Sequence, residues 1–328
     1  MIDFIIRLTI IAQEIMDKVC YNGRMITNYR LEKNELVASS DGVDFILVSE
    51  PSREEIGKLA KAYDFPFDYI GGILDDDENA RFEIDANHNL LLLLQYPSVE
   101  DGTTEVFPFS LVVNSQKHAV ILSLNHASDL STILNRHYDV SRYQHEIIFQ
   151  VMSTLGKLFH DYLSQYKKRM KGIEAELKLS QENAQIMEII RSQKSLIYFE
   201  AALEDNIEVY EKLMTYLRAH DENGFSNHIF DIYVEADQAL TTTKIQLRLL
   251  ENLSDLFSNI VSNNLNIIMK IMTSATFIMT IPAIIAGLYG MNVKLPFQNV
   301  SYAFWLIVLA ATLISWLVFR IMIRKRMF

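Results

Sequence analysis

Residues 271–292 read IMTSATFIMTIPAIIAGLYGMN, and no side chain in them is charged. As a helix the stretch is long enough to cross a hydrocarbon core of roughly 30 Å. A second charge-free run, residues 302–319, follows after a short connection. Upstream, neither glycine nor proline occurs from Phe225 to Ile281, so a single unbroken helix is predicted to run from a polar region into the first span. From residue 227 to 289 such a helix would be about 95 Å long. The predicted fold is therefore an α+β cytoplasmic domain, then long helices, then two C-terminal transmembrane helices.

The basic residues orient the spans. Lys270 precedes the first; Arg320, Arg324, Lys325 and Arg326 end the second; the connecting residues 293–301 carry only Lys294. The positive-inside bias puts both termini in the cytoplasm and the short loop outside, at the inner membrane of a bacterial cell. Tyr289, Phe297, Tyr302 and Trp305 then fall at the outer interface as an aromatic belt. The formal charge of −11 belongs to the soluble part, which disfavours nucleic acid as a partner and suits cations. The single cysteine, Cys20, excludes an internal disulfide framework and a multi-thiolate metal site.

Composition shifts divide the chain. Residues 1–24 form an extension with an interrupted apolar run and no small-residue cleavage site; they read either as an element packed on the domain or as sequence ahead of an ordinary start at Met25. Residues 25–140 hold short apolar runs at 44–48, 90–95, 106–113 and 119–124, separated by polar turns such as Asn87-His88-Asn89, with helical patterning at 52–63. An α/β domain with a mostly antiparallel sheet is predicted. Residues 141–224 carry long amphipathic helices, about 142–179 and 183–218, ended by His220-Asp221-Glu222-Asn223-Gly224. Stalk helix and first span occupy 225–290, the outer loop 291–300, and the second span with a basic tail 301–328.

Along the predicted long helix, Asn259, Ser262, Asn266, Met269, Thr273, Thr276, Thr280, Ala283 and Gly287 recur by threes and fours on one face. That face is polar or small almost throughout. Repeated around a symmetry axis it would line a water-accessible channel; the same residues also suit close packing of transmembrane helices. Neither span contains Asp, Glu, Lys, Arg or His, so a proton relay lacks its titratable group. Entry driven by the membrane potential is the simpler mechanism, worth about 4.6 kcal/mol per 100 mV to a divalent cation.

Directly after the first span stands Tyr289-Gly290-Met291-Asn292, preceded by Ala286-Gly287-Leu288 and followed by the second span and a basic C-terminus. This arrangement resembles the CorA family of magnesium transporters, whose signature is Gly-Met-Asn at this place. The resemblance implies a CorA-like funnel: five copies around one pore, the stalk helix continuous with the first span, and Gly290, Met291 and Asn292 as the selectivity filter. A ring of Asn292 oxygens and Gly290 carbonyls would hold the water shell of a hard cation that dehydrates reluctantly. It also implies a gate near Asn266, Met269 and Met272, and regulatory magnesium ligands at Asp231, between subunits, and at Asp255 in the stalk below the gate. Mg2+ would be the transported and regulatory ion; no cofactor is implied.

The chain departs from the family pattern in two places. Its outer loop has no carboxylate and offers Lys294, and the neighbourhood of the family's regulatory acid reads Ile70-Gly71-Gly72-Ile73. Asp75, Asp76, Asp77 and Glu78 follow, either as replacement metal ligands or as a solvated turn. Cobalt, nickel or zinc transport is the alternative within transporters. Outside them, a non-conducting membrane-tethered coiled-coil or sensor protein fits the charged helices. Catalysis has no support: the eight histidines lack metal-ligand spacing and no phosphate-cradling loop occurs.

Overall fold

The computed structural model describes residues 26–39, 43–100, 103–114, 116–126, 143–177, 183–220, 222–292, 296 and 302–324. The expectations for residues 1–24, for Lys294 and Phe297 in the outer loop, and for Lys325 and Arg326 lie outside these. Two units, residues 1–251 and 252–328, divide the chain.

The first unit is built on a seven-stranded sheet: β1 (Ile26–Glu32), β2 (Glu35–Ala38), β3 (Phe45–Ser49), β4 (Arg81–Ile84), β5 (Leu90–Glu100), β6 (Thr103–Val113) and β7 (Val120–Leu124), in the order β2-β1-β3-β7-β6-β5-β4. Every pair is antiparallel except β3 with β7. That parallel pair joins strands distant in sequence, and between them the chain forms helix α1 (Arg53–Tyr63), the short α2 (Asp68–Gly71) and a 3-10 turn (Gly72–Leu74).

Residues Leu90 to Leu94 read as an unbroken leucine run because the sheet is covered on both faces. Leu91 and Leu93 join Ile46, Ile56, Tyr69, Ile70 and Ile121 in a buried cluster under α1 and α2. Leu92, Leu94 and Tyr96, on the other face, are also wholly buried, and that side carries the long helices α3 (Tyr143–Leu177) and α4 (Asn183–Ala219). Helix α1 begins in a capping box in which Ser52 and Glu55 each bond the other's main chain.

The β5–β6 hairpin extends several residues past the apolar runs, and Pro108 stands opposite Gln95 in it. Both main-chain groups of Gln95 turn to the buried Asn206 of α4: its N–H donates to Oδ1 at 2.9 Å, and its carbonyl accepts from Nδ2 at 2.8 Å. Gln95 and Pro108 thus form a non-hydrogen-bonded pair, in which proline's missing N–H costs nothing toward β5.

Helix α5 (Asn223–Tyr289) begins in the first unit. There Ile229, Ile232, Ala236, Leu240, Thr243, Leu247 and Leu250 are buried, a 3/4 spacing that makes one face. It runs parallel to α3, as shown by His145 stacked on Phe225 at 4.4 Å, Phe149 near His228, and Gln246 Nε2 donating to the Leu163 carbonyl. Lys244 bonds Glu204 of α4 at 2.7 Å.

The second unit holds the rest of α5 and α6 (Ala303–Arg324). Only 6% and 11% of the most apolar stretches of α5 and α6 are buried. Core helices of a soluble protein would be covered, so these two are candidate membrane spans by length and composition. Pro282 lies inside α5 without ending it, as transmembrane helices tolerate.

Candidate functional site

The spans carry one covered stripe each. On α5 it is Ser274, Ile278, Ile281 and Ile285; on α6 it is Ile307, Ala311, Ser315, Val318 and Met322. Asn266, Met269, Thr273, Thr276, Thr280, Ala283 and Gly287 are all exposed. At about 100° per residue, this polar face lies roughly 140° around α5 from the covered stripe. The threonine and small-residue face is therefore not what the chain packs internally; it stays open to water, lipid or further copies. Met272, also exposed, sits to one side of the face.

Two hydroxyls on the face are oriented by the helix itself. Thr276 Oγ1 donates to the Met272 carbonyl at 2.9 Å, and Thr280 Oγ1 donates to the Thr276 carbonyl at 2.7 Å. With the proton committed to the backbone, each oxygen turns lone pairs outward. Outward-facing acceptors suit a cation that keeps its water shell, because coordinated waters present hydrogens.

At the end of α5, Gly290 N–H donates to the Ala286 carbonyl at 2.9 Å and Met291 N–H reaches the Leu288 carbonyl at 3.4 Å, a tightening last turn. A Cβ on Gly290 would sit 3.3 Å from the Ala286 carbonyl oxygen, and nothing lies within 4 Å of one on Gly287. Neither glycine is left-handed. Within one chain alanine would fit at Gly287. Met291 and Asn292 are exposed past the helix end.

Asp231 and Asp255 are exposed on α5 and form no ion pair among the described residues. In the acidic run, the Asp75 carboxylate accepts from the Asp77 N–H, Asp76 pairs with His126 at 2.8 Å, and Glu78 pairs with Arg81. His126 stacks on Phe107 at 3.8 Å. These carboxylates thus hold a turn, and among the described residues no group of three or more His, Cys, Asp or Glu is arranged to hold a metal. A cleft of about 830 Å³ opens beside the run, lined in part by Asp68, Glu83, Asp85, Arg53 and Arg81. The Tyr69 hydroxyl beside it is pushed up to about 12, by burial first and then by Asp85 and Glu83.

Residues 40–325 match the sequence model of the CorA-like Mg2+ transporter protein family. This chain belongs to that family. It is 26% identical over 272 residues to the cobalt/magnesium transport protein CorA of Methanocaldococcus jannaschii, covering 79% of this chain and 83% of that one. It is 28% identical over 172 residues to the magnesium transport protein CorA of Helicobacter pylori, covering 49% and 54%. Among solved structures, the complete CorA magnesium transporter from M. jannaschii superposes with a TM-score of 0.78 at 19% identity, over 91% of this chain and 96% of that one. The full-length CmaX protein gives 0.69 at 13% identity, over 90% and 96%. CorA-like membership makes the chain a divalent-cation transporter rather than an enzyme, and α5 and α6 its candidate spans.

One residue on the same line escaped the sequence reading. Counting back by sevens from Ser262 gives Asp255 and then Arg248, an exposed cation without an ion pair among the described residues. Extending the seven-residue count past Asp255 finds it; a search confined to carboxylates and hydroxyls does not.

Proposed function

We propose that the chain forms a homopentameric magnesium channel of a bacterial inner membrane, with both termini cytoplasmic and uptake driven by the membrane potential. The observation that carries this is the open polar face of α5, turned away from the stripe covered within the chain. Around a symmetry axis, Asn266, Met269, Thr273, Thr276, Thr280, Ala283 and Gly287 line the path. Gly290, Met291 and Asn292 select the hydrated ion at its mouth, where side-chain and main-chain oxygens replace bulk water around an intact inner shell. Asp231 and Asp255 keep the internal end acidic. Magnesium bound near Asp231 between subunits damps their repulsion and favours closure, with Met269 and Met272 narrowing the path.

Magnesium uptake in cells lacking other importers tests the reading. Asn292→Ala is expected to lower uptake roughly tenfold, the size of a lost hydrogen bond to a charged species; unchanged uptake and selectivity would remove Asn292 from the filter. A second substrate reading rests on Lys294 in an acid-free outer loop and on the cobalt named for the M. jannaschii relative. In a competition assay, cobalt displacing magnesium at lower concentration than the reverse would establish it.

A further inference from the structure

The outward side of α6 carries a polar feature that the pore does not use. Relative to the covered stripe Ile307, Ala311, Ser315, Val318 and Met322, Trp316, Arg320 and Arg324 fall roughly on the opposite side of the helix. The Arg320 guanidinium lies over the Trp316 ring, 5.1 Å from its centroid, close enough for a cation–π attraction. Trp316 is 53% exposed, and Leu309 and Leu313, which precede it on the same side, are exposed by a similar amount. A held guanidinium and an indole therefore stand at the basic end of a bare aliphatic strip.

Those surfaces together restrict what covers them. A soluble anion would satisfy Arg320 and leave Leu309 and Leu313 wet. A zwitterionic lipid would cover the leucines but bring its own ammonium group beside Arg320 and Arg324, cancelling much of the attraction. We propose that Trp316 and Arg320, with Arg324 one turn on, hold the headgroup of an anionic phospholipid whose acyl chains lie along Leu313 and Leu309. The guanidinium offers a fork of N–H donors to the phosphate oxygens, and the Trp316 ring, fixed under it, sits at the headgroup level as interfacial tryptophans do. The proposal rests on the reading of α6 as a membrane span.

The test is lipid retention by the purified full-length oligomer, measured by native mass spectrometry after exposure to phosphatidylglycerol or phosphatidylcholine. Wild-type protein is expected to retain phosphatidylglycerol in preference. Arg320→Gln is expected to lower that retention about fivefold, the worth of one basic residue at an anionic surface. Arg320→Lys, which keeps the charge, should hold most of it, and Trp316→Ala should lose part. Equal retention of the two lipids by wild type, or unchanged phosphatidylglycerol retention in Arg320→Gln, overturns the site. So does a smaller oligomer of Arg320→Gln with unchanged retention, which would assign the pair to a subunit contact. Magnesium flux of the wild type in vesicles of either lipid is read separately: its absence in both would end the channel reading and leave the retention result standing.

Discussion

Helix α5 contrasts with itself along its length. In residues 223–251 one face is buried by Ile229, Ile232, Leu240, Leu247 and Leu250 against the helices of the first unit, while Phe230, Val234, Ile245 and Leu249 stand exposed among polar positions outside it. In residues 252–289 almost nothing is covered, and Leu265, Ile268, Phe277, Met279 and Ile284 stand exposed. In the first part a continuous apolar face is buried, as water favours; in the second most apolar side chains stay open, as lipid would allow. Within that second part the polar seam keeps its character from Asn259, ahead of the charge-free stretch, to Thr280 inside it. A face that keeps its character into the charge-free span is what the water-filled axis proposed above requires.

The largest effect should come from setting the seam against the lipid-facing surface. Thr280→Trp is expected to abolish uptake, whereas Leu309→Trp, on the exposed side of α6, should leave it close to wild type. Radioisotope or fluorescent-indicator flux at equal membrane expression would read this, and equal loss in both would erase the distinction. A sizeable but different loss is expected from Asn206→Ala in the first unit. It strips both partners from the Gln95 main chain and should cost about 2–3 kcal/mol in denaturant unfolding of the protein. A cost near zero would mean that water replaces Asn206 there.

Asp231→Ala should act more gently, weakening the dependence of flux on internal magnesium a few-fold while leaving maximal flux intact. Patch recordings across a magnesium series would show it, and an unaltered dependence would remove Asp231 from regulation. The smallest effect belongs to Asp205 on α4, whose carboxyl is pushed up by burial first and then by Glu208 and Glu204. With its folded value above its unfolded value near about 3.9, its contribution is full below that pH and is lost as pH rises through the folded value. Asp205→Asn should therefore melt higher than wild type at neutral pH, with the difference vanishing in acid; a difference independent of pH would assign it to packing.

How much of this was legible follows from how local each signal is. The runs at 90–95 and 106–113 announced β5 and β6, and the charge-free stretches announced the spans, because each is decided by hydrophobicity over neighbouring residues. Strands β1, β2 and β4 gave no such signal: Arg30, Glu32, Glu35, Arg81 and Glu83 lie in short strands near the sheet edges, where exposed sides accept charge. The polar seam was legible as a period but ambiguous in purpose, since threonine and alanine serve packing and pores alike.

That ambiguity narrowed only when the exposed and covered sides of α5 were known. Spacing along one chain assigns Thr273, Thr276 and Thr280 to a common face, and composition alone makes residues 271–289 and 302–319 fit for a bilayer. Which way that face points depends on where Ser274 and Ser315 are covered, and burial is a property of segments brought together from distant parts of the sequence. The same holds for Asp76 in its acidic run. Four consecutive acids read equally as ligands or as a turn; Arg81, only three residues on, pairs with Glu78 locally, but it took His126, brought from a distant part of the sequence by the fold, to give Asp76 its partner.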